Sequence, residues 1–98
     1  ISLGLVGSEM CIRDSLGAHI HGWRMVLGLT AQQVSERAGI TRDTLRRIES
    51  GSPGVSFGNV AQVLRALGIL DHVVDAADPL ASDIGRLRAG NLGRKRAR

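Results

Sequence analysis

The sequence predicts an all-α domain of five helices with a short C-terminal extension, on three observations. The length of 98 residues is that of one ordinary domain. Apolar residues make up 43% of the chain, but Trp23 and Phe57 are the only aromatic ones, so the core must be aliphatic. From Ser15 onward, capping residues and glycines bracket segments whose apolar residues recur at helical spacing. We expect the domain to span residues 15–78 and the extension residues 79–98.

The segment before Ser15 is expected to be a non-native or disordered leader, residues 1–14. It shows neither helical nor strand periodicity, and it resembles the translated read-through of a sequencing-library adaptor. The alternative is a short strand from Leu3 to Val6. The single cysteine, Cys11, falls in this segment and excludes a disulfide within the chain.

The first predicted helix begins after a cap at Asp14 or Ser15 and ends at Gly28. Its apolar residues follow the i, i+4, i+7, i+11 spacing of one buried stripe. The predicted stripe consists of Leu16, Ile20, Trp23 and Leu27.

A capping box of Thr30 and Gln33 predicts the start of a second helix, which runs to about Ala38. Gly39 supplies the left-handed residue of a tight turn. Thr41 then caps a third helix over residues 42–50, which stops at Gly51.

After a loop over residues 51–54, Ser56 is expected to cap a fourth helix that ends at Gly68. Its predicted buried face consists of Phe57, Val60, Ala61, Leu64 and Leu67. A fifth helix is predicted over residues 70–77. A last short helix begins at Asp78 and Pro79, carries Leu80, Ile84 and Leu87, and ends before Gly90.

The third helix has an outward face that is mostly cationic. Leu45 and Ile48 define its inward direction, so four polar residues point away from the core: Asp43, Arg46, Arg47 and Ser50. A short helix that projects arginines can enter a major groove, because arginine pairs bidentately with guanine O6 and N7. The alternative is a solvated arginine surface.

Residues 29–51, Leu-Thr-Ala-Gln-Gln-Val-Ser-Glu-Arg-Ala-Gly-Ile-Thr-Arg-Asp-Thr-Leu-Arg-Arg-Ile-Glu-Ser-Gly, resemble the helix-turn-helix of the Cro/phage-repressor, or XRE-type, family. The resemblance extends more loosely over residues 16–74. It implies a lambda-repressor-like domain of five helices that binds double-stranded DNA as a homodimer. The function it implies is that of a sequence-specific transcriptional regulator, most simply a repressor.

The resemblance also implies which residues contact DNA. Those at or near base edges would be Arg42, Asp43, Arg46 and Arg47, and Thr41, at the head of the same helix, belongs to the same predicted site. Gln32 and Gln33 would approach the phosphate backbone. Arg24 and Glu49 match a pair that bridges the first and third helices in the family. One departure is Ala31, where the family often has a glutamine that braces the DNA contact.

Asp43 has two interpretations. It can accept a hydrogen bond from cytosine N4. It can also serve the helix itself, because an acid is favoured in the first helical turn and Arg47 lies at ion-pair spacing from it. We favour the local role.

The sequence does not predict an enzyme, a metal site or a cofactor. It lacks a nucleophile with a neighbouring base, and the only lysine, Lys95, lies in the basic end. His19, His21 and His72 do not share a helix face, so they are expected to be surface or partly packed residues. No apolar run reaches the roughly 20 residues that span a bilayer, and we expect a cytoplasmic protein without a membrane partner.

The net charge of +4 comes from the end of the chain. Residues 86–98 hold six Lys and Arg and no acid, whereas residues 1–85 hold seven basic and nine acidic residues. This end has three interpretations: a DNA-binding arm, a solubilising tail, or an element that binds a protein partner. The third makes the chain similar to HipB-type antitoxins, whose C-terminal part would bind a toxin protein.

Overall fold

The computed structural model describes residues 9–93 of the chain, with side chains from Ile12 onward. This part of the chain is all-α, as predicted. The six α-helices are α1 (Glu9–Val26), α2 (Ala31–Ala38), α3 (Arg42–Glu49), α4 (Phe57–Leu67), α5 (Leu70–Ala77) and α6 (Asp83–Leu87). Two short 3-10 helices, Pro79–Ala81 and Ala89–Gly93, flank α6.

Helix α1 begins at Glu9 rather than after the predicted cap at Ser15. The segment before Ser15 contains neither glycine nor proline from Glu9 onward, so nothing local stops the helix from extending backward. Arg13 of the added turn donates from Nε to the carbonyl of Gly51, at 3.1 Å. That residues 1–14 are non-native stays a prediction, and the alternative strand at residues 3–6 lies outside the described residues.

The core is aliphatic, as predicted. Eight buried side chains form it: Ile20, Val34, Ala38, Leu45, Ile48, Val63, Leu64 and Leu67. The predicted stripe of α1 is only partly right, because Ile20 is buried but Leu16, Trp23 and Leu27 are each more than 40% exposed. Helix α1 meets α3 along Gly17, Ile20 and Arg24, and the three exposed residues lie to one side of this contact face.

The predicted face of α4 also needs a correction. Phe57 is 81% exposed, whereas Val63, which the predicted face omitted, is fully buried. Phe57 is the first residue of α4 and projects beyond the edge of the core, so correct helical phase does not bury it. The buried face of α4 is centred on Val63, Leu64 and Leu67.

The turns around α2 and α3 form as predicted. Thr30 Oγ1 accepts from the Gln33 amide at 3.1 Å, and Gln33 Oε1 accepts from the Thr30 amide at 2.8 Å, which completes the capping box. Gly39 adopts φ 73°, a left-handed conformation that glycine takes without strain. Helix α2 packs on α4, and α3 packs on α1, so α3 is held at the surface with one face outward.

The chain after α4 adds no fully buried residue to the core, although Ile69 and Leu70 pack against its edge. Helix α5 contributes no buried residue. The predicted last helix is broken: Asp78 Oδ1 accepts from the Leu80 amide at 2.9 Å to start the first 3-10 helix. Ser82 Oγ then accepts from the Gly85 amide at 3.1 Å and starts α6 separately. Ser82 is a second capping residue inside the predicted span, and it divides that span in two.

Candidate nucleic-acid interface

Helix α3 presents a polar outer face because its inner face is anchored by two buried residues, Leu45 and Ile48. Thr41 caps the helix: its Oγ1 accepts from the Thr44 amide at 3.1 Å and lies 2.9 Å from Thr44 Oγ1. The exposed side chains beyond the cap are those of Arg42, Asp43, Arg46 and Arg47. We call these four residues the α3 outer face.

Asp43 holds two arginines of the α3 outer face. Its Oδ1 pairs with Arg46 Nη2, and its Oδ2 forms an ion pair with Arg47 Nε at 3.1 Å. The hydrogen bond from Arg46, together with the charges of both arginines, lowers the pKa of the Asp43 carboxyl below its usual value. The carboxylate therefore stays ionised at neutral pH, and the local role predicted for Asp43 is present in the structure.

A groove of about 440 Å³ runs beside the α3 outer face, between α3, the start of α2 and the end of α1. Ala31 lies on its wall at the first position of α2. A longer side chain at that position would project into this space. The groove is lined by Arg24, Ala31, Arg42, Asp43, Leu45, Arg46 and Glu49.

The two glutamines predicted to approach phosphates lie next to the groove, not on its wall. Gln32 is exposed and donates from Nε2 to Glu36 Oε2 at 2.7 Å. Gln33 uses its Oε1 in the capping box, which leaves its Nε2 hydrogens for other acceptors. The structure therefore brings the arginines and Asp43 together, and it places Gln32 and Gln33 on the neighbouring turn of α2.

Arg24 and Glu49 join α1 to α3, as the resemblance implied. Arg24 donates from Nε to Glu49 Oε2 at 2.8 Å and from Nη2 to Glu49 Oε1 at 3.1 Å. The two side chains are only 14% and 13% exposed. Arg24 also donates to the carbonyl of Leu29 at 3.4 Å. This bidentate pair fixes the end of α3 against α1.

Burial raises the pKa of Glu49, but the hydrogen bonds from Arg24 and His21 and the charge of Arg24 outweigh it, so that the pKa lies below its usual value. The hydrogen bond to Glu49 likewise raises the pKa of Arg24. The pair is therefore fully ionised at neutral pH. Its charges neutralise each other, so it contributes position and not net charge to the interface.

His21 belongs to this brace, which the sequence reasoning missed. Its Nδ1 lies 3.0 Å from Glu49 Oε1 and 3.2 Å from Arg24 Nη2. The sequence could have indicated this contact, because His21 precedes Arg24 by three residues and so shares its helix face. With a proton on Nδ1, His21 donates to Glu49.

Two other features, a metal site and a membrane-spanning helix, have no counterpart in the described part of the chain. Within residues 9–93, no cluster of three or more His, Cys, Asp or Glu residues is placed to hold a metal ion. In the same range, no helix is long and apolar enough to cross a membrane. The described surface that combines charge, exposure and rigid support is the α3 outer face with its groove.

Comparison with known proteins agrees with this geometry. The family model described as "Helix-turn-helix domain" matches residues 15–77, which include α2, α3 and α4. An uncharacterized HTH-type transcriptional regulator of Methanothermobacter thermautotrophicus is 38% identical over 52 residues, which cover 53% of this chain and 74% of the relative. No solved structure matches the chain at a significant level.

Proposed function

Since this chain belongs to the helix-turn-helix domain family of DNA-binding transcriptional regulators, we propose that it is a sequence-specific repressor that reads the major groove with α3. The observation that carries the proposal is the α3 outer face. It holds three arginines and one acid, and it stands on a helix fixed by buried residues inside and by the Arg24–Glu49 pair at its end. Arginines on a rigid helix are suited to guanine edges, because a fixed backbone preserves their register along the groove.

The predicted contacts divide into two kinds under this proposal. Arg42, Arg46 and Arg47 contact base edges, with Asp43 beside them. Thr41, at the head of α3, and Gln32 and Gln33, on the first turn of α2, contact the sugar-phosphate backbone. Their exposure supports this assignment. Backbone contacts of this kind set the register of a protein on the duplex, and base contacts supply selectivity.

We propose that the protein binds as a homodimer, because one short helix reads too few base pairs to be selective. Helix α5 supports this proposal: it buries no residue within its own chain, and Val73 and Val74 are each more than 40% exposed. Burial of these side chains against a second copy would remove apolar surface from water. Sedimentation of the wild type and of Val74→Asp tests it, with a shift to monomer expected for the variant.

The DNA-binding proposal is tested by selection and footprinting. Wild-type protein is used to enrich binding sites from a duplex library with a randomised centre, and the enriched site is then footprinted. We expect a site with two-fold symmetry whose half-sites lie about one helical turn apart, roughly 10 base pairs. Enrichment of no sequence would contradict a sequence-specific function, and protection of one half-site at saturation would contradict the dimer.

A second candidate function is an antitoxin that regulates its own operon and binds a toxin protein through its C-terminal region. It is favoured by the segment after α5, which exposes four large apolar side chains: Leu80, Ile84, Leu87 and Leu92. A groove of about 280 Å³ in this segment is lined partly by Ile84 and Leu92. Exposed apolar side chains in a short segment are typical of surfaces that are covered by a protein partner.

Truncation separates the antitoxin from a DNA-binding arm. Deletion of residues 94–98 spares Arg86, which donates to the Leu80 carbonyl at 2.9 Å and pairs with Asp83. If the basic end touches phosphates, the deletion should flatten the slope of log affinity against log salt by about 0.9 per lost contact. If the exposed apolar side chains of the segment after α5 bind a toxin, the slope should stay the same, and a co-purifying protein should be lost from Ile84→Asp but kept by the deletion. If neither the salt slope nor the co-purifying protein changes in any variant, the basic end is a solubilising tail.

A further inference from the structure

Asp43 lies at the centre of the α3 outer face, and both oxygens of its carboxylate are engaged. Oδ1 pairs with Arg46, and Oδ2 pairs with Arg47 Nε at 3.1 Å. The three side chains are each more than half exposed, so no packing holds the two guanidinium groups in place. The position of both groups in the free protein therefore depends on one acid.

These ion pairs do little for stability, because water and salt screen exposed charges on a helix surface. Their larger effect is on the arginines themselves. Two long side chains that would sample many rotamers in water are drawn toward the same point on the first turn of α3. The same carboxylate also offsets one of the three positive charges of the outer face.

Arg42 provides a contrast within the same face. Among the described residues no ion pair or hydrogen bond holds its guanidinium, although it lies immediately before Asp43. Arg47 uses Nε for Asp43, which leaves both terminal nitrogens and their four hydrogens for other acceptors. Arg46 uses one terminal nitrogen, Nη2, and retains donors on Nε and Nη1. Each held arginine therefore keeps enough donors for a bidentate contact with a guanine edge.

We propose that Asp43 is a positioning residue that makes the interface selective: it holds Arg46 and Arg47 for contact with bases and weakens their contact with phosphates. This inference rests on the proposed DNA-binding function. A phosphate that approaches either arginine must compete with the Asp43 carboxylate and is repelled by its charge. A guanine edge is neutral, and it accepts hydrogen bonds from donors that Asp43 leaves available.

The test compares three variants with the wild type on the enriched site and on a random duplex of equal length. Asp43→Asn removes the charge, Asp43→Glu keeps it, and Asp83→Asn is the matched control. Asp83 forms the same i, i+3 pair, with Arg86 on α6, so its substitution changes the net charge equally at a place away from α3. Affinities are measured by titration at several salt concentrations, with thermal unfolding of each variant alongside.

For Asp43→Asn we expect affinity for random DNA to rise about three- to tenfold at low salt, with the salt slope steeper by about 0.9 for one added phosphate contact. Affinity for the enriched site should rise less or fall, so the ratio of specific to random binding drops. Asp43→Glu should restore much of the ratio, because glutamate also reaches arginines three and four residues onward. Asp83→Asn should leave the ratio and the slope as in the wild type.

Other outcomes would overturn the inference. An equal gain for Asp43→Asn and Asp83→Asn would mean that net charge alone is responsible. A lower melting temperature with an unchanged ratio would make Asp43 a helix-stabilising residue only. If Asp43→Asn lost discrimination between bases at only one base pair of the enriched site, Asp43 would read cytosine directly. In all three cases the wild type still binds DNA, whereas failure of the wild type to bind any duplex would refute the proposed function itself.

Discussion

The backbone of Gly17 in α1 lies directly against the carbonyl oxygen of Glu49 at the end of α3. A Cβ atom at position 17 would lie 2.5 Å from that oxygen and 2.6 Å from the carbonyl oxygen of Ile48. Both neighbours are backbone atoms and cannot rotate away. The close approach of α1 to α3, and with it the reach of the Arg24–Glu49 pair, therefore depends on the absence of a side chain at position 17.

Gly17→Ala is expected to destabilise the fold, because α1 and α3 must separate to admit a methyl group. We expect a loss of about 1 to 3 kcal/mol in the free energy of unfolding, measured by urea denaturation. Gly22→Ala on the same helix is the control: a Cβ there meets nothing within 4 Å. It should stabilise α1 by about 0.5 to 1 kcal/mol. If both variants lost a similar amount of stability, the close approach of α1 to α3 at Gly17 would be contradicted.

Arg24→Ala should lower stability, because it leaves the mostly buried Glu49 carboxylate without its bidentate partner. We expect a loss of about 1 to 3 kcal/mol. The control is Arg37→Ala, an exposed arginine in the last turn of α2, which should change little. A double-mutant cycle with Glu49→Gln isolates the coupling between the two residues. Coupling near zero would show that the two side chains act independently.

The lowered pKa of Glu49 predicts a specific pH dependence. A carboxyl whose pKa is lower in the folded state than in the unfolded state stabilises the fold above its ordinary value, here 4.5, and loses this effect as pH falls through the folded value. Wild type should therefore exceed Glu49→Gln in stability at pH 7, and the gap should close below about pH 4.5. Urea midpoints between pH 7 and pH 3 measure it. A gap that stays constant would contradict the prediction.

Ser35 is a buried polar residue whose substitution should stabilise the protein. Its Oγ is inaccessible to solvent and makes no hydrogen bond within residues 9–93. Ser35→Ala removes this atom and should raise the free energy of unfolding by about 1 kcal/mol. Ser56→Ala is the same chemical change at the cap of α4, where Oγ accepts from the Asn59 amide at 3.1 Å. It should lower stability by about 1 kcal/mol. If both substitutions changed the free energy of unfolding in the same direction, the prediction would be contradicted.

Arg42→Ala tests base reading by the arginine of the α3 outer face that no ion pair holds among residues 9–93. We expect a loss of about 1 to 3 kcal/mol on the enriched site and a smaller loss on random DNA. Arg65→Ala, in the last turn of α4 and outside the α3 outer face, should affect neither. Equal losses for Arg42→Ala on both DNAs would make Arg42 a phosphate contact.

The sequence predicted the interactions that are local along the chain. The caps at Thr30, Thr41 and Ser56 form as expected, because each joins groups three residues apart and is independent of tertiary packing. The pair of Asp43 with Arg47 was predictable for the same reason. Spacing alone did not show that Asp43 would hold Arg46 as well, since i+3 and i+4 partners compete for one carboxylate.

Burial was predicted less well, because it depends on which neighbour covers a face. Trp23 was assigned to the buried stripe of α1, yet the inner face of that helix runs through Gly17, Ile20 and Arg24. Phe57 remains exposed at the first position of α4, since periodicity gives direction but not how far a neighbouring helix extends. The early start of α1 was missed because the apolar residues before Ser15 follow no helical period. The groove beside α3 follows from the small side chain of Ala31, which the sequence showed, and from a helix arrangement that it did not.

The absence of buried residues in α5 has a consequence for amide hydrogen exchange. Local opening of a segment requires little free energy when few apolar contacts break, so amides of residues 70–93 should exchange faster than those of α2, α3 and α4. The amides of α3 would stay protected until the whole domain unfolds, while residues 70–93 open and close many times before that. A partner that docks on this segment would slow its exchange without slowing that of α3, so exchange rates alone would show where a partner binds.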